Sequence, residues 1–431
     1  MPKDHGIVAK WWPIGICHPV SLLLPMMSGV FTRLVGQEAV EAELLAAARA
    51  ARGDSTHSSA GDGNLTHAWL ITGPPGSGRS VAALCFAAAL QCTGDGEPGC
   101  GRCRACTTTM AGTHADVRRV IPEGLSIGVD DMRAIVQIAS RRPTTGRRQI
   151  VVIEDADRLT EGAANALLKV VEEPPPSTVF LLCAPSVDPE DIAVTLRSRC
   201  RHVALVTPSA AAIARVLVES DGLDANTAHW AASVCGGHVG RARRLATDPE
   251  ARQRRERALG LVRDAAVPSR AYAAAEELVA AAEAEAIALT ADRAEAETEE
   301  LRTALGAGGT GKGAASALRG ATGAIKDLER RQKSRQTRAS RDALDRALVD
   351  LATYFRDALV IATRPAGQAG GVRPNHPDMA DRVAALGAHA PPERLLRCIE
   401  AVLECREALA VNVKPKFAVD AMVASIGQEL G

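Results

Sequence analysis

Only 3% of this 431-residue chain is aromatic, too little for stacking of bases on side chains to be its main binding mode. There is no excess of charge either: 51 Lys and Arg balance 51 Asp and Glu, so any basic surface must be local. No apolar run reaches membrane length. The first 26 residues contain Trp11, Trp12 and the short run Leu22 to Leu24. They lack the longer apolar core and small-residue cleavage site of a signal peptide. These absences predict a soluble, cytoplasmic protein with no membrane partner, whose residues 1–29 are an N-terminal extension read as disordered. A chain of 431 residues, 46% hydrophobic and 24% charged, exceeds one ordinary core, and two or three domains are expected.

What the sequence does have begins at Leu70 to Ser80 (LITGPPGSGRS). Gly73, Gly78 and Ser80, with Gly76 between the first two, fit G-x-x-x-x-G-K-[ST], a loop whose backbone N–H groups cradle phosphates. The run before it reads as a buried strand and Arg79 to Leu90 as an apolar helix, so a phosphate would sit on a helix N-terminus. One residue departs from the pattern. Arg79 stands where a lysine should reach the β- and γ-phosphates, and a guanidinium does not replace a compact ammonium there. ATP with Mg²⁺ is therefore left open as a ligand.

After that helix come Cys92, Cys100, Cys103 and Cys106, spaced C-x7-C-x2-C-x2-C in a Gly-rich stretch. Four cysteines at this spacing suit one tetrahedral zinc ion, and a closed thiolate shell is structural rather than catalytic. His114 is a further ligand candidate, although the four thiols already complete the shell.

Val117 to Ile121, Gln149 to Ile153, Thr178 to Cys183 and Arg201 to Val206 read as further strands. Helical patterns alternate with them, which predicts an α/β domain with a parallel sheet and ligands at the strands' C-terminal edge. Glu154 and Asp155 end the Gln149 strand, placed for Mg²⁺ or an attacking water. Thr160 is an expected cap for the helix from Glu161 to Glu173, stopped by Pro174 to Pro176.

Asn165 to Pro175 (NALLKVVEEPP) and Thr195 to Cys200 (TLRSRC) resemble the hallmark stretches of the bacterial clamp-loader ATPases, members of the AAA+ class. Val35 to Gln37, the four-cysteine module and Ile127 to Arg133 add to the resemblance, which is dense over residues 30 to 250. Asn412 to Lys416 resembles the family's last helices.

Several expectations follow from the likeness. Residues 30–206 should be the AAA+ core with its zinc module at 92–106, 207–247 a helical lid, and 248–431 an all-helical collar that assembles subunits. Two branches of the family compete: the ATP-hydrolysing motor (tau/gamma-like) and delta prime, a stator with degraded catalytic parts. Arg79 and the order Glu154-Asp155, where the family has Asp-Glu, favour the stator, with Asp155 a degenerate catalytic position. Arg199 matches the arginine that acts as a finger on a neighbouring subunit's nucleotide; the plainer reading is an arginine paired to an acid. Within Gly236 to Arg243, Arg241 matches a lid arginine and is a nucleotide-contact candidate beside a solvated-arginine reading. The partners implied are the motor and delta subunits and, through the complex, the sliding clamp and primed DNA.

Ala251 to Leu305 and Ala324 to Ala362 read as long helical stretches around a Gly/Ala-rich break, Gly306 to Gly323, with a second break at Pro365 to Pro377. Gly308 to Gly313 mimics a phosphate loop, but no strand precedes it and it reads as a connector. Lys326 to Arg346 is rich in Lys and Arg, and a solvated helix face is favoured over a DNA contact.

Overall fold

The computed structural model describes residues 29–53, 65–305, 314–364 and 372–431, without the side chains of 314–322. The extension up to Ser28, the connector at Gly308 to Gly313, residues 54–64 and the start of the second break lie outside the described residues.

Five strands carry the first half: β1 (Ala68–Thr72), β2 (Val117–Val120), β3 (Gln149–Ile153), β4 (Thr178–Ala184) and β5 (Arg201–Ala204). They form one parallel sheet in the order β2-β3-β4-β1-β5. The three central strands are buried along their whole length while β2 and β5 are partly exposed. That is why the central strands read as unbroken apolar runs: helices cover both faces of a parallel sheet. Trp69 and Ile71 point to one face with α1 (Glu38–Arg52) and α2 (Arg79–Gln91). Leu70, Phe180 and Leu182 point to the other, where α4 (Val129–Ala139) and α5 (Glu161–Glu172) lie beyond the short α3 (Arg104–Met110) in the chain. Helix α2 is buried without interruption from Ala82 to Gln91, so it is apolar all round instead of striped. Phe86 meets the fully buried Trp69 edge-on, ring centroids 4.8 Å apart. Thr160 caps α5 by accepting the N–H of Ala163, as its position predicts.

Asp116, just before β2, gathers the turn that leads into β3. It is 2% exposed and accepts the amides of Thr144, Thr145 and Gly146 and both threonine hydroxyls, at 2.6–2.9 Å. Burial would raise its pKa, but these donors outweigh burial and hold the carboxyl well below the usual range. Its contribution is thus complete above the unfolded carboxyl value of about 4 and is lost as pH falls through the depressed folded value. Asp116→Asn should destabilise the chain by about 1.5–3 kcal/mol at pH 7, the scale of hydrogen bonds to a charged group. Denaturant unfolding of both proteins from pH 7 to pH 3 should show the two curves converging in acid; a constant gap would contradict this origin.

After the short α6 (Val194–Arg197), helices α7 (Ala210–Glu219), α8 (Ala225–Val234) and α9 (Val239–Thr247) close over a small core of their own around Ile213, Leu217, Ala228 and Leu245. The remainder is helical: α10 (Pro249–Ala265), α11 (Pro268–Ala304), α12 (Ala314–Ala362), α13 (Ala380–His389), α14 (Pro392–Ala410) and α15 (Pro415–Leu430). Their shared core centres on Leu348, Leu351, Phe355, Leu395, Val402, Val419 and Ile426. Two details differ from the sequence expectation. The stretch from Ala251 to Leu305 is broken at Val267, which is extended because Pro268 follows it, and Pro268 then opens α11. The long α12 starts at Ala314, inside the stretch read as a break. Among the described residues no helix is long and apolar enough to cross a membrane.

Candidate nucleotide and metal sites

The phosphate-type loop joins the C-terminal end of β1 to α2. Gly76 (φ 87°) and Gly78 (φ 98°) occupy left-handed backbone, which β-carbons disfavour. Gly76 has a second reason to be glycine: an added Cβ would run into His238, which opens α9 and packs that helix start against the loop. Gln37 ties loop to sheet, donating to Ser77 O and Val206 O and accepting the N–H of Val206. The hydroxyl of Ser77 is buried without a hydrogen-bond partner. Arg79 turns back on its own loop and donates to the carbonyl of Gly73 at 2.7 Å. Ser80 follows it in the first turn of α2, half-buried.

At the end of β3 each acid already faces a guanidinium. Glu154 accepts two bonds from Arg119 of β2, at 2.6 and 2.8 Å. Asp155 accepts from Arg338, a residue of α12 far along the chain. Asp157 keeps one carboxylate oxygen buried and unpartnered, and burial followed by repulsion from Asp155 raises its pKa. Burial pushes up the thiol of Cys183 in β4, the strand between β1 and β3, and the charges of Arg79, Glu154, Asp155 and Asp157 act on it more weakly. The loop and the strand-end acids therefore share one neighbourhood, as their positions in the sequence imply. Sequence reasoning misses the arginines that answer the acids, and it misses His238. Arg338 carries no local signal, whereas His238 lies in the same motif as Arg241 and could have been singled out there.

Arg199 sits just after α6 at the domain edge with its side chain 38% exposed. It pairs with Glu172 at 2.5 Å and donates to Thr195 O and Ser198 Oγ. Arg241 gives its guanidinium to Asp350 of α12, so its side chain joins α9 to α12.

The four cysteines do come together. Their sulfurs lie within 4.8 Å of one another, with Cys92 and Cys106 buried and the other two half-buried. Backbone amides serve the sulfurs: Cys103 N–H points to Cys100 Sγ and Cys106 N–H to Cys103 Sγ, both at 3.4 Å. Burial raises Cys103, but the amides of Cys106 and Thr93 outweigh it and bring the thiol down to about 5. At Cys92 burial is likewise outweighed, by amides of Cys100, Gly94 and Gly99. Cys106 is pushed up by burial and by the neighbouring sulfurs, a repulsion that a cation among them would relieve. The donor set and its amide support fit a thiolate-bound metal. His114 is not part of it: its Nδ1 accepts the N–H of Asp116.

Residues 53–209 match the sequence model of the family described as DNA polymerase III, delta subunit. The domain that carries the phosphate-type loop resembles the DNA polymerase III clamp-loader subunits. Subunit delta′ of Escherichia coli is 40% identical over 145 residues, 33% of this chain and 43% of that protein. Subunit delta′ of Bacillus subtilis is 34% identical over 157 residues, 36% of this chain and 47% of that protein. Subunit gamma/tau of Mycobacterium bovis is 33% identical over 174 residues, 40% of this chain and 28% of that protein. The chain thus spans less than half the length of the curated relatives it matches. Within that span it resembles the delta′ subunits, and the span holds the parallel sheet and the four-cysteine module.

Proposed function

We propose that the chain is the delta-prime-like stator of a DNA polymerase III clamp loader, acting in replication beside motor (tau/gamma) and delta subunits that place a sliding clamp on primed DNA. In this reading residues 30–206 are the core, 207–247 the lid and 248–431 the collar, and Arg199 is offered in trans to the nucleotide of a neighbouring motor subunit. Zinc held by Cys92, Cys100, Cys103 and Cys106 supplies a rigid cross-link and no chemistry. The work is done in the cytoplasm, with no membrane involved.

The observation that supports this most is the state of the chain's own loop. Arg79 bonds Gly73 O, while Arg119 and Arg338 answer Glu154 and Asp155. Gly73, Gly76, Gly78 and the half-buried Ser80 keep a cradle for phosphate, but the groups that would hold a metal or orient water are engaged elsewhere. Arg199, in contrast, is held at the surface by a half-exposed acid and two local bonds, to Thr195 O and Ser198 Oγ, where another subunit can reach it. The alternative is an ATP-hydrolysing motor, favoured by the gamma/tau likeness and the intact loop backbone; it needs Arg79 to do a lysine's work.

Native mass measurement of this chain mixed with motor and delta subunits should find one copy in each complex. Complexes that form fully without it, or that take it only as a replacement for the motor, would overturn the stator reading.

A further inference from the structure

The basic stretch of α12 is a solvated face only in its first part: Lys326, Arg330, Arg331 and Lys333 are exposed, but the arginines from Arg335 on are engaged. Arg335 pairs with Glu297 of α11 and faces Glu123 in the loop after β2. Arg341 donates to Leu409 O and Asn412. Arg338 reaches furthest. Its guanidinium bonds Asp155 Oδ2 at 2.5 Å and the carbonyl of Pro122, and its Nε lies 3.6 Å from Asp342 Oδ2. Asp342 in turn faces Arg158, 3.4 Å away on the core side. The side chain of Arg338 is only 16% exposed and that of Asp155 22%, so water screens this pair weakly.

Among the described residues, the charged groups at this end of β3 are matched except at Asp157. Glu154 belongs to Arg119, Arg158 to Asp342 and Arg79 to Gly73 O. Asp157 beside them has a buried carboxylate oxygen with no hydrogen-bond donor. Asp155 just past the end of β3 and the under-satisfied Asp157 in the turn that follows, with a phosphate-type loop on the same sheet, supply carboxylate oxygens of the kind that suit a hard divalent cation. The positive charge found there is Arg338.

We propose that Arg338 decides the metal selectivity of this nucleotide-type site: its guanidinium takes the place of a divalent cation at Asp155, so the chain excludes Mg²⁺-bound nucleotide while α12 is docked on the core. A guanidinium is planar and cannot be deprotonated. It can balance the charge of Asp155 but cannot bridge β- and γ-phosphate oxygens as a metal does. Docking also fixes the core on the helical region, because Pro122, Asp155 and Arg158 are all held by α12. Nucleotide without metal meets only the loop amides and binds weakly. The inference rests on the nucleotide-type reading of the loop and not on the stator role, so either can fail alone.

The test is Mn²⁺ binding to the full chain, followed by the electron-paramagnetic signal of free Mn²⁺, with and without a fluorescent ATP analogue. Mn²⁺ prefers oxygen ligands and leaves the four-thiolate site alone. Arg338→Met removes the charge and keeps the bulk. It should tighten Mn²⁺ binding by about tenfold or more, the scale of removing one neighbouring charge, and the analogue should bind more tightly with Mn²⁺ than without. Adding Asp155→Asn should cancel both gains, and Arg338→Lys should resemble the wild type more than Arg338→Met does. A folded Arg338→Met protein with wild-type Mn²⁺ affinity overturns the proposal, as does a gain that survives Asp155→Asn. If Arg338→Met does not fold, the wild type decides against Asp155→Asn: equal Mn²⁺ affinities support the proposal, and a loss on Asp155→Asn refutes it.

Discussion

Arg199→Ala should leave the chain folded and able to assemble, yet lower ATP turnover at the motor site it serves by about 10³ to 10⁵. The size follows from the chemistry of the transferring phosphoryl group, whose negative charge spreads over oxygens that a guanidinium can reach and a solvent cation cannot hold in place. The structure makes the side chain available at little cost. Its partner Glu172 is 41% exposed, and half-exposed ion pairs are worth about 0–1 kcal/mol. Leaving Glu172 for a γ-phosphate on a neighbouring subunit is therefore a small penalty set against a large gain. Glu172→Gln should accordingly leave turnover intact. Arg199→Lys should rescue little, since a point charge lacks the planar fork. The two neighbouring arginines are controls with their own duties. Arg197 donates to Val187 O, and Arg201 pairs with Glu43 while lying over the ring of Trp69 at 4.9 Å. Arg201→Ala should lower stability more than turnover, and Arg197→Ala should change both little. Steady-state hydrolysis by the loader assembled with clamp and primed DNA reads all of these. An Arg199→Ala loader that loads clamps at the wild-type rate would remove the finger from the account.

Replacing any one of Cys92, Cys100, Cys103 and Cys106 with serine should abolish stoichiometric zinc and destabilise the core by several kcal/mol. Binding of a structural zinc is folding free energy, about 10–16 kcal/mol in small zinc domains. Here only part of that is at stake, because α2 has a large core besides. The loss should be greatest at Cys106, buried against α2 with its thiol facing Ala88 O. There, a missing metal leaves a polar group inside the fold. It should be smaller at the half-buried Cys100. Metal analysis of protein purified without chelator should return one zinc per chain; a value near zero would refute the site. Chelation should lower the unfolding temperature of the wild type and leave that of Cys106→Ser unchanged.

The sheet is legible in the sequence because its physics is local. The runs Ile150 to Ile153 and Phe180 to Cys183 are apolar at every position, so both faces of each strand must be covered. The loop glycines and the four cysteines are legible for the same reason: their geometry is written within a few residues. Contacts that decide chemistry across the chain leave no such trace. Arg338 and Asp155 are 183 positions apart, and in a helix rich in Lys and Arg one arginine looks like the next. The solvated-face expectation for Lys326 to Arg346 fails at Arg335, Arg338, Arg341 and Arg346, each of which has a partner, the last of them Glu285. Arg241 shows the same limit: its partner Asp350 lies in α12, 109 positions on. The break at Val267 is legible in principle, since a proline restricts the residue before it.

The most direct test of the whole account is ATP turnover by the purified chain alone, compared with turnover after motor and delta subunits are added. Its own loop holds Arg79 against Gly73 O and its strand-end acids face arginines. The chain alone should therefore show no hydrolysis above background, and the rate that appears on assembly should depend on Arg199 and not on Asp155. A steady rate from the isolated chain that vanishes on Asp155→Asn would contradict the account and make this subunit a motor.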